Sequence, residues 1–233
     1  MTNQMFTAAT ALFAALFALD ILLVTSSRLL HCIRIVAIQG LVIGLLPLIA
    51  WNWETGLPHS ELIVIALLNL GLKGVLIPLL LARTMRSAHV CRELEPLAGY
   101  SFSLLVVLCI AAVSFIFCQH LPLPENALSL LAAPAAFTTL LTGLFLIIAR
   151  RKALTQAVGF LTFENGITAF GTGMALEYGL LVELGILLDV FVLVFVMGIA
   201  VFRISREFQH IDSDRLNRLG DWQTEPAAER KGA

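Results

Sequence analysis

Residues 153–176 read ALTQAVGFLTFENGITAFGTGMAL, an apolar stretch with a single charged side chain, Glu164, near its middle. A helix needs about 20 predominantly apolar residues to cross a bilayer. Inside lipid the backbone must satisfy its own hydrogen bonds, which an α-helix does within one segment. The stretch therefore predicts a transmembrane helix that carries a carboxyl group inside the membrane.

Six further stretches have a similar length and apolar character, so we predict an all-α integral membrane protein with seven transmembrane helices. The predicted spans are Phe6–Thr25, Ile33–Ala50, Leu62–Ala82, Tyr100–Gln119, Leu128–Ile148, Ala153–Leu176 and Leu180–Phe202. Of the 233 residues, 59% are hydrophobic and 13% are charged, whereas about a quarter of an average soluble domain is charged. This composition excludes a disordered chain, a disulfide scaffold and a basic nucleic-acid-binding protein.

The basic residues predict the orientation of the spans. Of the 15 Lys and Arg residues, all except Lys73 lie at the loops after the first, third and fifth spans or in the tail after Phe202. Cytoplasmic loops carry the excess of Lys and Arg. We therefore expect the N-terminus outside, the C-terminus in the cytoplasm, and a multi-pass protein of the inner (cytoplasmic) cell membrane. The predicted segments are 1–98 (three helices), 99–126 (a linking fourth helix), 127–206 (three helices) and 207–233 (a cytoplasmic tail).

Four ionisable side chains lie well inside the predicted spans: Asp20, Lys73, Glu164 and Asp189. At about 1.5 Å of rise per residue, the last three lie about 15–21 Å from the nearest basic loop, near the middle of a core about 30 Å thick. Intramembrane charges are costly and usually functional. The four residues predict a proton path in which Lys73 is a switchable partner of Glu164 or Asp189.

Two alternatives remain open at this point. Lys73 and one of the acids could form a static buried ion pair that fixes the register of the helices. Asp20 lies about 12 Å from the basic loop and closer to the end of its span, where it could simply contact Arg28.

Residues of special backbone or small size accompany the charges. Gly159, Asn165 and Gly166 lie close to Glu164 in the sequence, and small residues permit either close helix packing or a π-bulge or unwound turn. Pro78 follows Lys73 by five residues and could bend that helix, because proline removes a helical hydrogen bond. A packing kink is the alternative.

No motif for a redox, hydrolytic or metal centre is present. The four cysteines form no C-x-x-C pair, and the five histidines lie in loops, at span ends or in the tail. There is no P-loop, dinucleotide fingerprint or nucleophile elbow. We therefore predict no cofactor, no metal and no catalytic residue.

The charged spans resemble a known family of membrane proteins. The residues that carry the likeness are Arg150-Arg151-Lys152, Gly159, Glu164-Asn165-Gly166, the run 182–189 with Asp189, and the run 72–79 with Lys73 and Pro78. Over nearly the whole chain these resemble hydrogenase-4 component E. The last three spans, within 127–206, are also similar to the K subunit of NADH:quinone oxidoreductase and to the corresponding small membrane protein of multisubunit cation/proton antiporters.

The resemblance implies a proton-translocating, non-catalytic subunit in the membrane arm of a complex I-related respiratory or hydrogenase complex. Its implied partners are antiporter-like membrane subunits, other subunits of that complex and membrane lipid, with no nucleic acid. The alternatives are an independent small secondary transporter and a structural scaffold subunit. The short loops favour a subunit, and several charges at mid-membrane depth are not needed by a scaffold.

Overall fold

The computed structural model describes residues 3–51, 63–64, 66–67, 69–87, 99–122, 127–150 and 153–174, and the single positions 187, 191, 194 and 198. These residues form helices and no strand, which confirms the all-helical prediction for this part of the chain. The elements are α1 (Asn3–Thr25), α2 (Leu29–Ala50), a π-helix π1 (Asn69–Leu76), α3 (Ile77–Ser87), α4 (Tyr100–Gln119), α5 (Ala132–Ala149) and α6 (Ala153–Gly173).

Four of the described helices, α1, α2, α4 and α5, are long and apolar enough to cross a membrane. Their character indicates a membrane protein. The count of seven spans and the orientation stay predictions, because most of the predicted seventh span lies outside the described residues.

The helix bounds differ from the predicted spans where a loop is shorter or longer than expected. Helix α2 begins at Leu29 rather than Ile33, since Arg28 is the last residue with an extended backbone. Helix α5 begins at Ala132 rather than Leu128, because a turn precedes it in which the Ser129 hydroxyl accepts a hydrogen bond from the Leu131 N–H at 3.1 Å.

The third predicted span contains an irregular backbone. Residues Asn69–Leu76 are π-helical, and the α-helix resumes at Ile77, one residue before Pro78. Proline has no N–H and its ring collides with the carbonyl four residues earlier, which here belongs to Gly74. The widened turn therefore ends where the proline interrupts the regular hydrogen-bond pattern. Segments of π-helix are rare and frequently occur at functional sites, and this one includes Lys73.

Helices α5 and α6 make the most extensive contact of the fold, and glycines bring their backbones together. A Cβ atom on Gly166 would lie 2.6 Å from Leu140 Cα, and one on Gly159 would lie 2.9 Å from the Ile147 nitrogen. Helix α6 is a continuous α-helix from Ala153 to Gly173. The π-bulge or unwound turn considered for Gly159, Asn165 and Gly166 is therefore absent, and the glycines serve close packing.

Two apolar clusters fill the interior at successive levels of the bundle. One includes Leu23, Val36, Leu146 and Leu161, and the other includes Leu16, Ile43, Ala136 and Ala169. Helices α1, α2, α5 and α6 each contribute to both clusters. Each of these helices also carries a buried polar residue between its contributions to the two clusters: Asp20, Gln39, Thr139 and Glu164. A polar layer thus separates the two apolar regions.

We predict that Gly166→Ala destabilises the protein by about 1–3 kcal/mol, because the added methyl group collides with the backbone of α5. Gly71→Ala is the matched control: nothing lies within 4 Å of a Cβ atom there, so only the gain in helix propensity remains. Thermal unfolding of the two purified variants in lipid should show a lower midpoint for Gly166→Ala alone. Equal midpoints would contradict the close packing.

Candidate functional site

Lys73 and Glu164 form an ion pair inside the bundle. Lys73 Nζ lies 3.1 Å from Glu164 Oε1, and the two side chains are 2% and 3% exposed. Lys73 comes from π1 and Glu164 from α6, so the pair joins two segments that are distant in the sequence. The structure thus brings together two of the residues singled out by their position inside the predicted spans.

A threonine completes the site. Lys73 Nζ donates a hydrogen bond to Thr168 Oγ1 at 2.7 Å, and the Thr168 hydroxyl donates to the Glu164 carbonyl oxygen at 3.1 Å. Residues four apart on an α-helix lie on one face, so α6 presents the carboxylate and the hydroxyl to Lys73 together. The hydroxyl accepts from the ammonium and donates to the backbone, which satisfies both of its hydrogen-bonding functions.

A close contact between backbones positions Lys73. A Cβ atom on Gly40 would lie 2.7 Å from both the carbonyl carbon and the carbonyl oxygen of Lys73. Helix α2 can approach π1 this closely only because Gly40 has no side chain. The same helix also packs on α6, so α2 lies against both segments that supply the pair.

The surroundings give the pair its chemical character. Removing two charges from water costs several kcal/mol per ion, and their attraction offsets this cost only with good geometry and further hydrogen bonds. Moving one proton from Lys73 to Glu164 converts the two ions into two neutral groups without changing the net charge of the site. The arrangement can therefore hold a proton on either partner, which is what a relay inside a membrane requires.

Asp20 lies in the same polar layer and is fully buried. Gln39 Nε2 donates to Asp20 Oδ1 at 2.8 Å, and Thr139 Oγ1 lies within hydrogen-bonding distance of Asp20 Oδ2, at 2.7 Å. Arg28 is exposed beyond the end of α1. The alternative in which Asp20 simply contacts Arg28 is therefore wrong, because the carboxyl group points toward α2 and α5.

The remaining predicted residues have different places. Asn165 is buried beside Glu164 on α6, and Gly159 and Gly166 lie on the face of α6 that packs on α5. Pro78 follows π1 in α3. Asp189 lies outside the described residues. Among the described residues, no three His, Cys, Asp or Glu side chains are grouped as metal ligands would be.

Three neutral residues of the site, Gln39, Thr139 and Thr168, were not singled out from the sequence. Each lies within an apolar span, which is the signal that could have drawn attention to it. Neutral polar residues are common in membrane helices, however, and only the packing of the helices shows which of them face a charged group.

The chain is 32% identical over 203 residues to a protein of Mycobacterium tuberculosis described as "Uncharacterized protein Rv0085". The aligned region covers 87% of this chain and 91% of the mycobacterial protein. The chain belongs to the same family as Rv0085. The match to Rv0085 extends over most of both proteins, so it relates whole chains rather than one shared segment. No family model and no solved structure matches the chain.

We predict that Lys73→Met destabilises the protein by about 3–5 kcal/mol, because it leaves the Glu164 carboxylate buried without its ammonium partner. The double variant Lys73→Met with Glu164→Gln should recover most of this loss, since neither charge then remains. Thermal unfolding in lipid measures both effects.

Arg28→Met serves as the control for removal of a positive charge, because Arg28 is exposed and its loss should change the unfolding midpoint little. A double variant that is no more stable than Lys73→Met would contradict the energetic coupling of the pair.

Proposed function

We propose that the protein is a proton-translocating membrane-arm subunit of a complex I-related respiratory or hydrogenase complex. Protons pass through Lys73 and Glu164, with Asp189 and Asp20 as further members of the path, and the subunit performs no redox chemistry of its own. The observation that carries the proposal is the buried ion pair, in which Lys73 Nζ and Glu164 Oε1 are 3.1 Å apart between π1 and α6.

The pair supports a relay because its strength depends on protonation. A proton that arrives at Glu164 removes the negative charge that holds Lys73, and the ammonium group then favours another carboxylate. In the proposed path that carboxylate is Asp189. Lys73 lies on a π-helix, whose looser hydrogen-bond geometry is suited to a change of side-chain position.

The outer surface supports an intramembrane subunit. Helix α4 carries large apolar side chains that are 39–61% exposed: Phe102, Leu105, Leu108, Val113, Phe115, Ile116 and Phe117. Such a surface suits lipid or the apolar face of another membrane protein. In the proposed complex these neighbours are lipid and antiporter-like subunits, in the inner (cytoplasmic) membrane.

We predict that Glu164→Gln abolishes proton pumping by the native complex while leaving its assembly intact. Glutamine has nearly the same shape but cannot release a proton at neutral pH. Pumping is measured as acidification or alkalinisation of proteoliposomes that contain the purified complex, and assembly is measured from the set of proteins that co-purify.

Thr155→Val is the matched control for this experiment. Thr155 is buried on α6, and its hydroxyl has no hydrogen-bond partner among the described residues, so the variant should pump normally. Undiminished pumping in Glu164→Gln would show that Glu164 carries no proton. Purification of the native protein alone, with transport activity in liposomes, would contradict the assignment to a complex.

A further inference from the structure

The Asp20 carboxyl group is held by two other helices and is separate from the Lys73–Glu164 pair. It lies on α1, Gln39 lies on α2 and Thr139 lies on α5, and all three side chains are 0% exposed. Both carboxyl oxygens are engaged, Oδ1 by Gln39 Nε2 at 2.8 Å and Oδ2 by Thr139 Oγ1 at 2.7 Å. The site is therefore closed to water and built by side chains of three helices.

The partners of this carboxyl group carry no charge. Gln39 and Thr139 are neutral, and among the described residues no cationic side chain lies within salt-bridge distance of Asp20. Burying an ionised carboxylate without a cation is very unfavourable, and such a group takes up a proton instead. Burial and the chemistry of the partners thus both favour the neutral acid.

The hydrogens at Thr139 lead to the same conclusion independently. Thr139 Oγ1 lies 2.7 Å from Asp20 Oδ2 and 3.0 Å from the Ala135 carbonyl oxygen. A threonine hydroxyl has one hydrogen, and a backbone carbonyl can only accept. Threonine within a helix commonly donates to the carbonyl four residues earlier. If Thr139 donates to Ala135, the hydrogen between Thr139 and Asp20 must belong to Asp20.

We propose that Asp20 is a proton-binding site in which Oδ2 carries the proton and donates it to Thr139 Oγ1. Gln39 donates to Oδ1, Asp20 Oδ2–H donates to Thr139, and Thr139 donates to the Ala135 carbonyl oxygen. Every contact then has one hydrogen and every hydrogen has one acceptor. This site goes beyond the proposed relay, because it holds a proton whether or not the protein translocates one.

Other titratable groups near this region do not replace the proton. The helices that pack on α1 are α2, α4 and α5, and none of their described ionisable side chains contacts Asp20. In the described part of the chain these groups, with those that flank the helices, are Arg28, His31, Cys32, Arg34, Tyr100, Cys109, Cys118, His120 and Arg150. Lys73, on π1, contacts Glu164 and Thr168.

Infrared spectroscopy of the full-length protein in lipid nanodiscs at neutral pH tests the proposal. The difference spectrum between the wild-type protein and Asp20→Asn should contain the C=O stretching band of a protonated carboxylic acid, lost in the variant and shifted in heavy water. Glu164→Gln is the matched control and should keep this band. Carboxylate bands in place of the acid band would overturn the proposal.

Two variants of Thr139 keep the test decisive if Asp20→Asn folds poorly. Thr139→Ser retains the hydroxyl acceptor and should leave the acid band in place, whereas Thr139→Val removes the acceptor and should shift it to higher frequency. An identical band in both variants would contradict the assigned hydrogen bond.

A rival occupant of the site is a sodium ion bound to an ionised Asp20. In that case the unfolding midpoint of the wild-type protein would rise with sodium but not with an equal concentration of choline, and Asp20→Asn would lose this response. We expect equal midpoints in the two salts. A sodium-specific rise would overturn the proposal, and neither result depends on whether the complex pumps protons.

Discussion

An ionisable side chain inside an apolar bundle must find its counter-charge within the protein, because no water is available to solvate it. Lys73 and Glu164 meet this constraint by lying 3.1 Å apart. The close approach of α2 to π1 at Gly40 and the hydroxyl of Thr168 both serve this contact. An interior that has to pair one ammonium with one carboxylate is specified more narrowly than one that only buries apolar surface.

The polar layer reconciles this requirement with a stable fold. Apolar clusters lie on both sides of it, and helices α1, α2, α5 and α6 each place one buried polar residue between them. The layer contains two kinds of acid. Glu164 faces an ammonium group and can be ionised, whereas Asp20 faces two neutral side chains. Groups in environments this different suit different states of protonation, which a path for protons requires.

The sequence predicts those parts of this arrangement that depend on local pattern. The span over residues 100–119 coincides with α4, because its boundaries follow from an uninterrupted apolar run. Lys73 and Glu164 stand out because charges are rare inside the spans. Their mutual contact is one of two pairings left open, since depth in the membrane does not show which helices face each other. Asp20 illustrates the same limit: its distance from Arg28 along the helix says nothing about the direction of its side chain toward Gln39 and Thr139. The π-helix of residues 69–76 has no sequence signature beyond Pro78, because its hydrogen-bond pattern depends on packing against α2.

The central claim is that Lys73 gives up and regains a proton, rather than forming a permanent ion pair with Glu164. The most direct test is proton pumping by the native complex that carries Lys73→Arg, reconstituted in proteoliposomes. Arginine keeps the positive charge and the attraction to Glu164 but does not deprotonate in proteins. We predict an assembled complex that no longer pumps protons. Pumping at the wild-type rate would contradict the account, because a permanently charged residue would then serve as well as lysine.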